Sequence, residues 1–143
     1  MASLPSLEAV DGERWVLVDS AGREAEFLAF ASAALSSNRL WVAVDAEWQD
    51  PRPLSLLQLA ISDGEHAPTV FLLDILHQLS EETLCCCQRL LQPAPECRDH
   101  HKVLAFSPRE DLRRLRQVGI LPKRDPAAAD ATDVSDAGWS DLQ

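Results

Sequence analysis

Tyrosine is absent from this 143-residue chain, and Lys and Arg number 13 against 23 Asp and Glu. No apolar run approaches the ~20 residues that a membrane helix needs, so no membrane partner is expected. The four cysteines make a poor disulfide framework, because Cys85, Cys86 and Cys87 are consecutive. The start, Met-Ala-Ser-Leu-Pro, lacks the basic and apolar regions of a signal peptide. Intracellular residence, nuclear or cytoplasmic, is the expectation. No Gly-rich phosphate loop, Gly-x-Ser-x-Gly elbow or His-Glu-x-x-His helix is present. The net charge of −10 repels phosphates and counts against a plain nucleic-acid binding module, whose affinity rests on Lys and Arg. It counts less against an enzyme whose carboxylates hold divalent cations, because bound metal inverts the local field.

What is present can fold. At 46% hydrophobic, the chain is long enough for one domain with a core. Residues 14–20 read as a strand rich in β-formers. Residues 21–38 read as a helix, with Phe27, Leu28, Ala31 and Leu35 at helical spacing. Strands follow over 39–48, 54–63 and 69–76, and this meander of three is expected to be antiparallel. A helix over 80–92 opens with Ser80, Glu81 and Glu82. A strand over 102–107 leads into a helix over 107–119, where Ser107, Pro108 and Glu110 spell a capping box. This order predicts an α/β domain with a mixed sheet. After Pro122 the pattern fades into a run rich in Ala and Asp with a lone Trp139. The expected organisation is an N-terminal segment over 1–13, a domain over 14–122, and a disordered tail or non-native ending over 123–143.

One strand carries polar residues where it should simply stop. Asp45 and Glu47 lie two apart at its end and therefore share a face, while Val42, Val44 and Ala46 take the other. Two converging carboxylates repel, and a hard cation relieves that repulsion. A two-metal phosphodiesterase site needs such oxygen ligands, with ions ~3.5–4 Å apart. Asp111 adds a third carboxylate, one turn into the well-signalled helix that follows a buried strand.

The pieces "VAVDAEW", "LSLLQLA", "VFLLDIL" and "KVLAFSPREDLRRL" together resemble the 3′–5′ exonuclease domain of the RNase D and Werner type. That family belongs to the DEDD superfamily on the ribonuclease H-like fold, and the phrasing is most similar to its Mut-seven branch. The resemblance spans roughly residues 14–120. It implies that Asp45 bridges two Mg²⁺ or Mn²⁺ ions, that Glu47 binds the first ion and the attacking water, and that Asp111 supports the second. It implies a nucleic-acid partner, single-stranded or at a 3′ end, RNA or DNA. Trp48 is a candidate to stack on the terminal nucleotide, and Arg109 to contact its phosphates. Gln58 and Asp74 match family positions that read as structural.

The chain departs from that family in its third motif, which holds the last metal-binding aspartate and a Tyr or His that orients the water. There is no Tyr, and the last histidine, His101, precedes Asp111. Asp133, Asp136 and Asp141 are proposed for the last ligand only by position. The expected chain is a truncated exonuclease domain with little activity. The other reading is a catalytically inactive exonuclease-like fold that binds nucleic acid or protein.

Two further groupings have plainer readings. Cys85, Cys86, Cys87, Cys97, His100 and His101 match no common zinc spacing and read as free thiols and loop histidines. Arg109, Arg113, Arg114 and Arg116 decorate the last helix, as a solvated basic face or as contacts to backbone phosphates, and Arg113 and Arg116 read as the former.

Overall fold

The computed structural model describes residues 14–123, 134 and 137–142. Six strands form one mixed sheet: β1 (Arg14–Val18), β2 (Leu40–Trp48), β3 (Leu54–Ser62), β4 (Thr69–Asp74), β5 (His101–Ala105) and β6 (Trp139–Asp141). Their spatial order is β1-β4-β3-β2-β5-β6. The meander β2-β3-β4 is antiparallel, as its short turns require, and the other pairings are parallel. Among the described residues three α-helices pack with the sheet, α1 (Ala21–Leu35), α2 (Glu81–Leu91) and α3 (Pro108–Gln117), with a single 3-10 turn at Pro95–Cys97. This is the mixed α/β architecture of ribonuclease H-like domains. Among the described residues no helix is long and apolar enough to cross a membrane.

The two faces of the sheet differ. Val16, Val18, Val42, Val44, Leu57, Leu59, Phe71, Leu73, Val103 and Ala105 alternate onto one face and are buried with Phe27 of α1, Leu90 of α2 and Leu112 of α3. Phe71 meets Phe27 edge-on, with ring centroids 5.1 Å apart. The alternate residues line the opposite face. Trp15, Leu17 and Trp41 stand exposed there, and Phe106 and Leu142 continue the same alternation just past β5 and β6. No helix covers that face among the described residues.

Two helix starts differ in their chemistry. At α2 the Ser80 hydroxyl accepts the Thr83 amide, as the sequence signals. A second group at this end was not legible: Glu24 of α1 reaches across and accepts from the Ser80 amide at 2.8 Å and the Thr83 hydroxyl at 2.7 Å, with His77 Nε2 at 3.3 Å. Burial alone would raise the Glu24 pKa, but the Ser80 amide and the Thr83, Ser80 and His77 side chains outweigh it and hold it low. At α3 the expected capping box does not form. Ser107 makes no side-chain capping bond, and Glu110 turns along the helix to Arg113 and Arg114. Pro108 still occupies the first turn, and Gly119 at φ 80° ends the helix region.

Most of the predicted tail lies outside the described residues, but Trp139–Asp141 do not behave as a tail. They form β6, parallel to β5, with the Trp139 indole buried and its N–H donating to the Leu91 carbonyl at 2.7 Å. Three strand residues after a polar run are too short a stretch to show a period, so only the lone Trp139 signalled it.

Glu24 gives a direct test of how the helical layer is joined. Glu24→Ala leaves the Ser80 amide and Thr83 hydroxyl without their acceptor and is expected to cost about 3 kcal/mol. Urea unfolding should show a lower midpoint at an unchanged slope.

Candidate functional site

Strand β2 delivers two carboxylates to the open face. Asp45 and Glu47 are exposed there, while Val42, Val44 and Ala46 are buried under the helices. The antiparallel register sets Asp45 opposite Gln58 and Glu47 opposite Leu56, then slips at Trp48, which pairs with Leu54. The ladder thus ends one residue after Glu47 in an irregularity, a common device for re-aiming side chains at functional sites. The turn that follows includes a cis Asp50–Pro51 peptide.

Strand β5 brings in the third carboxylate. It runs parallel to β2, with Val42 opposite Val103 and Ala43 opposite Leu104, so both strands end on the same side of the sheet. The chain leaves β5 through Phe106 and enters α3, and Asp111 lies in the first turn of that helix, 2% exposed. Topology thus gathers carboxylates separated by more than sixty residues.

The electrostatics of the three groups are linked. Asp45 and Glu47 are close enough to hydrogen-bond, which requires a proton between them. That bond and the Asp45 charge push the Glu47 pKa up. Asp111 is pushed from 3.8 to about 7, first by burial and then by the charge of Asp45, with smaller contributions from Glu110 and Glu47. The Ala46 amide acts in the other direction as a hydrogen-bond donor. One Asp111 oxygen, Oδ2, is buried without a hydrogen-bond partner. The raised Glu47 carboxyl beside Asp45 and the orphaned buried Asp111 oxygen have the same unmet need, which is positive charge. Asp45, Glu47 and Asp111 therefore fit a hard divalent cation in kind. Among the described residues, however, no three His, Cys, Asp or Glu side chains converge tightly enough to hold a metal ion. Asp45 and Glu47 meet, and Asp111 stands within their electrostatic reach without closing around a common point.

The remaining sequence candidates fall as follows. Trp48 is half-buried, and the Arg114 guanidinium lies 4.4 Å from its ring centroid. Arg109 is exposed at the start of α3. Gln58, read as structural, lines a cavity of about 200 Å³ together with Asp45, Ala43, Ala60 and Phe106. Asp74 is structural: its Oδ1 accepts the Leu76 amide at 3.0 Å and closes the turn after β4. Asp133 and Asp136 lie outside the described residues. Asp141 pairs with Ala105, so it takes the helix-covered side of β6 rather than the Asp45 face. His101 is buried against the Leu90 carbonyl, Cys86 and Cys87 are buried free thiols, and among the described residues none of them joins a metal cluster. Arg114 is the residue that sequence reasoning missed: it is 7% exposed and packed against Trp48. Its spacing of three from Asp111 on one helix was the available signal.

The Asp111 shift has a definite sign. The folded chain keeps the proton up to about pH 7, while the unfolded chain releases it near 3.8. Between those values the unfolded state binds fewer protons, so stability falls as pH rises, by an amount on the order of a few kcal/mol. Glu47 acts in the same sense. Thermal unfolding without divalent ions is expected at lower temperature at pH 8 than at pH 5. Asp111→Asn should flatten most of that difference and raise the pH 8 midpoint.

No family model matches the chain, and no curated protein matches it by sequence. Solved structures do match. The EXO domain of Aedes aegypti Nibbler superposes with a TM-score of 0.59 at 18% identity, over 92% of this chain and 53% of that one. An EXD2 exonuclease domain soaked in Mg and GMP gives 0.56 at 19%, over 75% of this chain and 52% of that one. The Trypanosoma brucei RNase D–GMP complex gives 0.51 at 22%, over 76% and 31%. The chain spans about half the length of the first two and a third of the last. At these identities the likeness is one of fold: the chain has the fold of the 3′–5′ exonuclease domains.

Proposed function

We propose that this chain carries the carboxylate cluster of a 3′–5′ exonuclease that hydrolyses phosphodiester bonds at single-stranded or 3′ ends of RNA or DNA. We also propose that the chain by itself has little activity. The observation that carries this reading is the gathering of Asp45, Glu47 and Asp111 at the ends of β2 and β5, with Asp111 Oδ2 left unpartnered. The fold supports it, since the matched structures are exonuclease domains and one was soaked in Mg and GMP.

Asp45, Glu47 and Asp111 would hold Mg²⁺ or Mn²⁺. Bound divalent ions in such a site supply an activated water and a counter-charge for the leaving oxygen. The residues themselves do the rest. Asp45 and Glu47 present oxygens on the open face, where a strand end is accessible. Asp111, whose pKa is raised first by burial and then by the Asp45 charge, would have to release its proton to serve as a ligand, and a positive charge beside it would favour that release. Arg109, exposed one turn from the cluster, offers a phosphate contact, and Trp48 offers an aromatic edge beside Glu47.

Low activity follows from what the chain lacks. Without a Tyr, and with no His after position 101, nothing after α3 resembles the residue that orients the water in this family. The looseness of the three carboxylates agrees with a missing ligand. It also favours the second reading, an inactive exonuclease-like module that binds nucleic acid or protein.

Two measurements separate these outcomes. Mn²⁺ at millimolar concentration should raise the melting temperature by mass action, and Asp45→Ala should abolish the shift. On 5′-labelled single-stranded RNA and DNA with Mn²⁺, no 3′ shortening is expected. A ladder lost in Asp45→Ala would sink the claim of low activity. A folded chain blind to Mn²⁺ would sink the metal site and leave the binding module.

A further inference from the structure

The cluster depends on two elements that share few fixed points. Glu47 sits on the last regular residue of β2, just before the register slips, and Asp111 sits on α3. Strand ends fray, and a frayed end would let Glu47 drift from Asp111. Arg114 stands one turn after Asp111 on the same side of α3. Its guanidinium lies over the Trp48 ring at 4.4 Å, and its Nη2 donates to Asp50 Oδ1 at 2.9 Å. Both partners follow Glu47 closely in the chain, Trp48 directly after it and Asp50 in the turn beyond. The other edge of the guanidinium is fixed to its own helix, with Nε donating to Glu110 Oε1 at 3.2 Å and Nη1 to Gln117 Oε1 at 3.5 Å. Glu110 is thereby drawn away from capping its own helix.

We infer that Arg114 is a positioning residue for the carboxylate site: it clamps the end of β2 to α3 and so fixes Glu47 relative to Asp111. The inference rests on the metal-binding reading given above. Two contacts bracket Glu47. On the inner side the Ala46 amide acts on Asp111, and on the outer side Arg114 holds Trp48 and Asp50. Arg suits this task and Lys suits it poorly, because a planar guanidinium can stack on an indole and donate in several directions at once. The cation is also matched by two acidic partners, Asp50 and Glu110, so it adds no uncompensated charge to the site.

The test compares wild type with Arg114→Gln, Arg114→Lys and Asp50→Asn. Asp50 is largely solvent-exposed, so Asp50→Asn breaks one arm of the clamp without threatening the fold. The first readout needs no metal: amide hydrogen exchange over residues 44–53, with α1 and α2 as internal references. The second is the affinity for Mn²⁺ by electron paramagnetic resonance. Arg114→Gln is expected to speed exchange over 44–53, leave α1 and α2 unchanged, and weaken Mn²⁺ about tenfold or more, as outer partners of metal ligands do. Asp50→Asn should move both readouts less, and Arg114→Lys should recover part of the loss. In a Glu47→Gln background the Arg114→Gln effect on Mn²⁺ should vanish, because the clamp acts through Glu47. An unchanged Mn²⁺ affinity in folded Arg114→Gln and Asp50→Asn would overturn the inference, and so would an undiminished effect in the Glu47→Gln background. If wild type binds no Mn²⁺, the metal-binding reading falls. Exchange over 44–53 then decides the clamp alone: faster in the variants upholds it, unchanged overturns it.

Discussion

Like charge gathered at the shared end of β2 and β5 is the constraint around which this domain is arranged. The parallel register of the two strands sets it, with Val42 opposite Val103, and a slip of one residue would turn Asp45 and Glu47 into the helix-covered layer. Once the register is fixed, Asp111 has nowhere to go but beneath the strand end, and the three carboxyls must share protons or a cation. Without a cation they share protons, and both Glu47 and Asp111 are pushed upward. The cost falls on folding stability near neutral pH and is the kind that functional sites carry. The rest of the fold has to hold α3 against β2 despite it.

That need explains why α3 breaks a local rule. Ser107, Pro108 and Glu110 spell a helix start, and the tertiary structure uses Glu110 elsewhere, on Arg113 and Arg114. A capping bond is worth about 1 kcal/mol. Anchoring the buried guanidinium of Arg114, which joins the helix to Trp48 and Asp50, outweighs it, because an unpaired buried charge costs several times more. At α2 the balance runs the other way. Ser80 keeps its cap, and Glu24 adds a carboxylate at the positive end of the helix, so two helices are joined where no sequence spacing connects them.

These cases mark what the chain's pattern could reveal. The period-two alternation of 39–48 gave the faces of β2, and with them the shared side of Asp45 and Glu47, because a strand's geometry is local. The helical spacing of Phe27 and Ala31, and of Leu112 and Leu115, predicted buried stripes for the same reason. Residues whose role depends on a distant partner were silent. Glu24 looks like any acidic residue of a first turn until α2 stands beside it. Arg114 looks solvated among three other arginines until Trp48 is packed beneath it. Strand β6 is three residues long and depends on β5 for its existence, so only the burial of Trp139 betrays it.

The open face of the sheet bears on the chemistry of the site. Sheets with parallel strands ordinarily have both faces covered, and here Trp15, Leu17, Trp41 and Leu142 stand exposed on one face with Phe106 at 65%. Asp45 and Glu47 share that face, so water reaches them directly. Water screens their repulsion and would equally weaken their hold on a cation. A layer over the apolar part of the face would lower the local dielectric around both carboxylates. It would raise the cost of leaving them without a cation and strengthen the attraction for one. On the proposed reading, metal affinity here would therefore depend on how the open face is covered as well as on the strand end that carries Asp45 and Glu47.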